Sequence, residues 1–225
     1  MTSAVPIAQA LIVAFAISLS PFAKATDISG VARVVDGDTL RIGTQTIRLY
    51  GIDAPESGQD CLRKNGSSYN CGELSEKALK ALVRKKTSCS GTEFDNYDRL
   101  IAICSAEGVE INRELVRKGY ALAFRKFSEK YIADEQMAEA ATVGMWAGSF
   151  ETPADFRAKR WQSAVTSAPS PDCPIKGNIN RNGERIYHAP WSRSYERTRI
   201  NTSKSERWFC TEAEALAAGW RAPYR

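Results

Sequence analysis

The sequence predicts an α+β fold: a small β-barrel with helices, followed by a separate small C-terminal module. Three observations carry this reading. Three short strand patterns follow one another between Ile28 and Ile52, with tight turns between them. Helical patterns and a hairpin come after them. A Ser/Pro-rich stretch at 163–171 then precedes a segment, 172–225, dense in arginine and aromatic residues.

Ile28 to Val35 is β-branched and apolar and stops at Asp36-Gly37, a strong turn pair. Thr39-Leu40-Arg41-Ile42 resumes extended chain, and Gly43-Thr44-Gln45 turns it again. Thr46 to Ile52 reads as a third strand. Arg48, Tyr50 and Ile52 face one side of it, and Ile47, Leu49 and Gly51 the other. Glu73 to Lys85 has a helical period, with Leu74, Ala78 and Leu82 in one stripe and Ala81 beside them. If Asp95-Asn96-Tyr97-Asp98 is a tight turn, segments 86–95 and 98–107 pair antiparallel, and residues whose numbers sum to 193 face each other. Glu110 to Lys118 reads as a short helix ended by Gly119. Glu129 to Val143 is a longer one closed by Gly144, after which Met145-Trp146 packs back as a core anchor. Thr152 to Arg160 carries no decisive pattern. In the last segment, Thr211-Glu212-Ala213-Glu214 is a capping box opening a helix that ends at Gly219.

Length and composition fit this layout. At 225 residues, 43% hydrophobic and 25% charged, the chain suits an ordinary globular domain plus a small one. The expected division is a leader at 1–25, a main domain at 26–150, a linker at 151–171 and a module at 172–225. The formal charge is +5, and ten Lys+Arg against six Asp+Glu place +4 of it in 172–225. A basic excess so placed suits a polyanionic partner.

Residues Ala8 to Leu19 have the length and apolarity of an export-signal core, and Ala23-Lys24-Ala25 fits its cleavage site. The mature chain is then expected to begin near Thr26 and to be periplasmic or secreted, without stable membrane insertion. No Lys or Arg precedes the apolar run, and an uncleaved anchor is the rival, though the run is short for a membrane span. The six cysteines agree with export, where disulfides persist. Cys89 and Cys104 sum to 193 and become a cross-strand pair. Cys61 and Cys71 bracket the polar loop Lys64-Asn65-Gly66-Ser67-Ser68, and Cys173 and Cys210 remain for each other. None of the spacings resembles a Cys-x-x-Cys metal site. A zinc site from Cys173, Cys210 and His188 lacks an obvious fourth ligand.

The chemistry-bearing residues are concentrated between Asp36 and Glu56. Asp38 and Asp53 leave a turn and end a strand on neighbouring segments, so their carboxylates can converge on a hard cation. Arg48 can hold a phosphate, and Glu56, directed by Pro55, can orient or deprotonate a water. Arg99, after the Asn96-Tyr97-Asp98 turn, can supply a second guanidinium. These parts suit phosphodiester hydrolysis. Each has a plain alternative: a β-turn for Asp36-Gly37-Asp38, a solvated loop glutamate for Glu56, a turn-end surface charge for Arg99. His188 is the only histidine and lies in the C-terminal module, so a Ser-His or Cys-His nucleophile is unavailable to the main domain. No phosphate-binding Gly-rich loop is present.

In this order the residues resemble the staphylococcal-type thermonuclease family. The resemblance covers roughly Ile28 to Trp146. It rests on Val34-Val35-Asp36-Gly37-Asp38-Thr39, Ile47-Arg48-Leu49, Gly51-Ile52-Asp53-Ala54-Pro55-Glu56, Tyr97-Asp98-Arg99 and Asn112-Arg113-Glu114-Leu115-Val116-Arg117-Lys118-Gly119. It implies an OB-type five-stranded barrel with three helices and a calcium-dependent endonuclease acting on DNA and RNA to leave 3′-phosphates. It further implies that Asp38, Asp53 and the Ala54 carbonyl hold calcium, with Ala54 where the family usually has Thr. Asp36 then holds metal-bound waters, Glu56 is the general base, Arg48 and Arg99 clamp phosphate, and Tyr97 touches it. At Arg125-Lys126-Phe127 the family's nucleotide-stacking tyrosine is replaced. The C-terminal segment resembles a small module of exported bacterial nucleases called a sunset domain, through Ile175-Lys176-Gly177-Asn178, Ile186-Tyr187-His188, Trp208-Phe209-Cys210 and Ala217-Ala218-Gly219-Trp220-Arg221. Its aromatics either form a core or stack on single-stranded nucleic acid, the expected preferred substrate. The chain is expected to be a monomer. Two competing functions are a non-catalytic OB-type nucleic-acid-binding protein of the envelope and an envelope adaptor working through 172–225. The joint presence of Asp38, Arg48, Asp53, Glu56 and Arg99 weighs against the first; deletion of 172–225 separates the second, since a nuclease should retain most hydrolysis.

Overall fold

The computed structural model describes residues 25–170 and 172–223. The export-signal reading and Tyr224 lie outside the described residues. Three strands open the fold: β1 (Thr26–Val34), β2 (Thr39–Ile42) and β3 (Gln45–Leu49). A two-residue β4 (Ile52–Asp53), then β5 (Asp60–Arg63) and β6 (Ser68–Asn70), lead to helix α1 (Cys71–Leu82). The hairpin β7 (Lys86–Phe94) and β8 (Leu100–Ala106) follows, with β9 (Val109–Glu110) and α2 (Ile111–Arg117). Then come β10 (Leu122–Ala123), α3 (Ile132–Ala140), β11 (Gly148–Ser149) and α4 (Pro153–Val165). The chain ends with β12 (Ile175–Ile179), β13 (Arg185–His188), β14 (Arg207–Phe209) and α5 (Glu212–Ala217).

The main sheet runs β3-β2-β1-β7-β8, and a parallel β3–β8 pairing closes it into a five-stranded mixed barrel of OB type. Alternation drives the closure. Ile47 and Leu49 of β3 and Leu100, Ala102 and Cys104 of β8 point inward, and α2 adds Ile111, Leu115 and Val116 to the same core. Each large apolar side chain so buried contributes about 1.5–3 kcal/mol. Asn112 is the polar exception. It is fully buried and accepts from the Cys104 N–H (3.0 Å). It donates to the carbonyls of Tyr50 (2.9 Å) and Ala102 (3.2 Å). Asn112→Ala is expected to cost about 3 kcal/mol, because it leaves backbone groups buried without partners. Urea unfolding of the variant checks this.

The hairpin register follows the 193 rule from Thr87↔Ala106 through Cys89↔Cys104 to Gly91↔Ala102. It then shifts at a bulge between Gly91 and Glu93. All three disulfides pair as the spacing indicates: Cys61–Cys71, Cys89–Cys104 and Cys173–Cys210. The last excludes a zinc site at Cys173 and Cys210.

Four readings of local structure change. The third strand stops at Leu49, because Gly51 takes a left-handed conformation (φ +72°). This turn frees Ile52–Asp53 to pair with Leu122–Ala123. In α1 the buried residues are Cys71, Gly72, Ser75, Glu76 and Leu79; Ala78 and Leu82 of the expected stripe pack partly buried against the core, while Leu74 is exposed. Ser75 occupies the barrel side because its hydroxyl donates to the Tyr120 carbonyl. The helix read at Glu129–Val143 is shorter, Ile132–Ala140. Residues 153–165, inside the segment expected as linker, form a helix: Thr152 caps it by accepting from the Asp155 N–H, and Pro153 opens it.

The C-terminal residues form a three-stranded sheet, β13-β12-β14, with α5. Tyr187, Phe209 and Trp220 are its buried core, with Ile175 and Ala215, and Trp161 of α4 packs against them. These aromatics serve as core. The capping box holds as read, with Thr211 accepting from the Glu214 N–H. His188 is buried here, its Nε2 2.9 Å from Asn178 Oδ1. Burial, with Lys176 nearby, pushes its pKa down to about 4. A depressed histidine contributes stability above its unfolded value and loses it as pH falls. The module is therefore expected to weaken between about pH 6.5 and 4, and His188→Gln to flatten that dependence in thermal melts. No helix among the described residues is long and apolar enough to cross a membrane.

Candidate active site

Asp36, Asp38, Arg48, Asp53 and Glu56 come together at one end of the barrel wall. The backbone sets the first contact. Asp38 immediately precedes β2, and its carbonyl accepts from the Leu49 N–H (2.8 Å), so its side chain lies beside Arg48. The turn before it is fixed by Asp36, whose carboxylate accepts from the Asp38 N–H (3.1 Å). Gly37 is required at this turn, since a Cβ there would stand 2.7 Å from that of Ala54. Asp53 arrives through the Gly51 turn and the β4–β10 pairing.

Arg48 bridges the two aspartates. One nitrogen donates to Asp38 Oδ1, and the other to Asp53 Oδ1 at 3.0 Å. The second oxygen of Asp38 accepts from the Ala54 N–H at 2.7 Å. Ala54 thus meets Asp38 through its amide. Glu56 is held by its loop. Its N–H donates to Gln59 Oε1 (3.1 Å), and Gln59, fully buried, donates onward to the Glu151 carbonyl (2.7 Å). Gly72 lets α1 approach this loop, because a Cβ there would lie 1.8 Å from the Glu56 carbonyl oxygen.

One participant is absent from the sequence reading. Arg157 of α4 grips Asp53 with both nitrogens (3.1 and 2.9 Å) and Glu56 at 2.9 Å. Arg99, by contrast, stays on its own turn. It donates to Asp95 at 2.7 Å and lies 4.9 Å over the Tyr97 ring. The carboxylates and Arg99 are therefore not in mutual contact. Tyr97 lines a groove of about 460 Å³ between the turn at Thr44–Thr46 and Ala213, Leu216 and Ala217 of the C-terminal module.

Charge in the cluster is unbalanced: four carboxylates (Asp36, Asp38, Asp53, Glu56) face two guanidiniums (Arg48, Arg157). Burial pushes Glu56 up to about 8 against the pull of Arg157, with Asp36 and Asp38 adding to the rise. Burial likewise lifts Asp38 to about 6, opposed by Arg48. Burial works against the Arg48 charge, but Asp38 and Asp53 outweigh it and hold that guanidinium charged. The shortfall of positive charge and the all-oxygen donors fit a hard divalent cation in kind. Among the described residues, no group of three or more His, Cys, Asp or Glu is arranged to hold one.

The fold and site define a class: an OB-type barrel with acidic and guanidinium side chains gathered at its strand ends. The chain belongs to the staphylococcal nuclease homologue family, whose model matches residues 46–148. It is similar to an uncharacterized endonuclease of Haemophilus influenzae, 31% identical over 137 residues, or 57% of this chain and 71% of that protein. It is also similar to the succinoglycan biosynthesis protein ExoI of Rhizobium meliloti, 36% identical over 127 residues, or 54% of this chain and 66% of that protein. Endonuclease YhcR of Bacillus subtilis is 29% identical over 214 residues, 85% of this chain but only 16% of that protein.

Proposed function

We propose that this protein is an exported, calcium-dependent endonuclease that hydrolyses phosphodiester bonds of DNA and RNA and leaves 3′-phosphates. The observation that carries the reading is the Arg48 fork joining Asp38 to Asp53 beside Glu56. Three disulfides and endonuclease-named relatives support it.

Asp38 and Asp53 would hold the calcium ion, with Asp36 next to them. When bound, the ion offsets the charge of a phosphate oxygen. Glu56 takes the proton of the attacking water as its oxygen bonds to phosphorus; the P–O5′ bond breaks, and the 5′-oxygen leaves as a hydroxyl with a proton from solvent. Arg48 would turn its fork from Asp38 and Asp53 to the phosphate as charge builds in the transition state, and Arg99 would join it by leaving Asp95. Tyr97 lies under Arg99 and borders the groove that would receive the nucleotide. That groove, closed on one side by α5, is better suited to a single strand than to a duplex.

Mass spectrometry of fragments from a short single-stranded oligonucleotide tests the reaction. Fragments ending in a 3′-phosphate agree with the proposal. Fragments carrying 5′-phosphates contradict it.

A further inference from the structure

We propose that Arg157 is an internal counter-cation that competes with the divalent ion for Asp53 and Glu56. The inference rests on the calcium reading above. It concerns a residue beyond the segment 46–148 that the family model matches.

Arg157 is placed, not merely present. The start of α4 is tied to the Glu56 loop through Gln59, which bonds the Glu56 amide on one side and the Glu151 carbonyl on the other. The Thr152 cap and Pro153 fix the first turn of the helix. Further along, Trp161 packs on the core of the C-terminal module, and Arg160 donates to the Pro190 carbonyl (3.2 Å) and pairs with Glu196 (2.7 Å). These anchors aim the Arg157 side chain at the carboxylates. Its side chain keeps 23% of its exposure.

The grip is specific. Both Asp53 oxygens accept from Arg157, and Glu56 accepts from the same guanidinium. A bidentate pair is among the strongest that a guanidinium forms. These are the oxygens that the calcium reading requires for the ion and the base. An ion at Asp53 would stand within a few ångströms of a like charge, so the two exclude each other from that carboxylate. The remaining exposure of Arg157 gives its fork a way out when the ion enters. Arg48 differs, since it also bridges Asp38, and it shares only Asp53 Oδ1 with Arg157, whereas Arg157 takes both Asp53 oxygens. Arg157 thus sets a threshold: the ion binds only where its concentration outweighs the internal pair.

Calorimetric titration with calcium chloride tests this on the chain from Thr26 to Arg225, as wild type, Arg157→Gln and Arg157→Lys. The expected result is at least about tenfold tighter calcium binding by Arg157→Gln, from removal of a nearby like charge. Arg157→Lys, a point charge without the fork, is expected to lie between the two. Circular dichroism confirms that each variant is folded. Should the Gln variant not fold, the Lys variant decides, and binding equal to wild type overturns the proposal. Equal or weaker binding by a folded Gln variant overturns it and leaves the calcium reading intact. Absence of calcium binding in all three proteins removes both.

Discussion

Replacing Glu56 with glutamine lowers turnover by at least about a hundredfold, the scale of losing a general base. The amide keeps the shape of the side chain and can still accept from Arg157, so the loop should remain in place. What disappears is the capacity to take a proton. The pH profile gives a second reading of the same event. Glu56 works ionised, and burial holds its carboxyl up to about 8. The rate of the wild-type protein should therefore rise with pH as this group ionises. A nearby bound cation favours the ionised form and moves the rise to lower pH. The glutamine variant should lack this acid limb. Steady-state rates across pH check both statements, and an unchanged rate would remove Glu56 from the mechanism.

Arg48→Lys is expected to lose about 10²- to 10³-fold in turnover, in line with removal of a donor aimed at developing charge. Lysine keeps the positive charge but not the fork, and only the fork reaches Asp38 and Asp53 together. Because both carboxylates are buried, loss of the Asp38 pairing also leaves that charge with no guanidinium, held by the Ala54 amide alone on its second oxygen. The variant should accordingly melt at a lower temperature as well as turn over more slowly. A melt shifted down with full activity would show that Arg48 is only a structural counter-ion.

The barrel and most of the acidic site were legible because their determinants are local. Val34-Val35-Asp36-Gly37-Asp38 encodes its own turn, and Asp38, Arg48 and Asp53 sit close in sequence: just before β2, on the adjacent β3, and just past the Gly51 turn. The hairpin register counted from the turn holds only beyond the bulge: beside the turn Phe94 faces Leu100, one residue off the count, and the bulge between Gly91 and Glu93 restores it. On α1 the expected stripe holds at Ala78 and Leu82, which pack against the core, and departs at Leu74, which is exposed. The fold instead buries Ser75, whose hydroxyl has a carbonyl partner at Tyr120, 45 residues away.

Arg157 escaped for the same physical reason in stronger form. It meets Glu56 and Asp53 across 101 and 104 residues of chain. No local pattern can announce a contact of that span. The one available signal was the start of α4, where Thr152-Pro153 and Asp155 form a capped helical opening. Reading it would have turned an undecided segment into a helix but would not have shown where Arg157 points. Arg99 keeps both of its readings. Its plain alternative, a charge at a turn end, describes the Asp95 pairing seen in the fold, and its clamp role requires that pair to open.

The most direct test of the central claim is digestion of heat-denatured DNA by the chain from Thr26 to Arg225, with millimolar calcium and in parallel with a calcium chelator. The account predicts cleavage in the first tube and none in the second. Intact DNA in both, with the DNA still shifted on a native gel, would contradict it and make the chain a nucleic-acid-binding barrel.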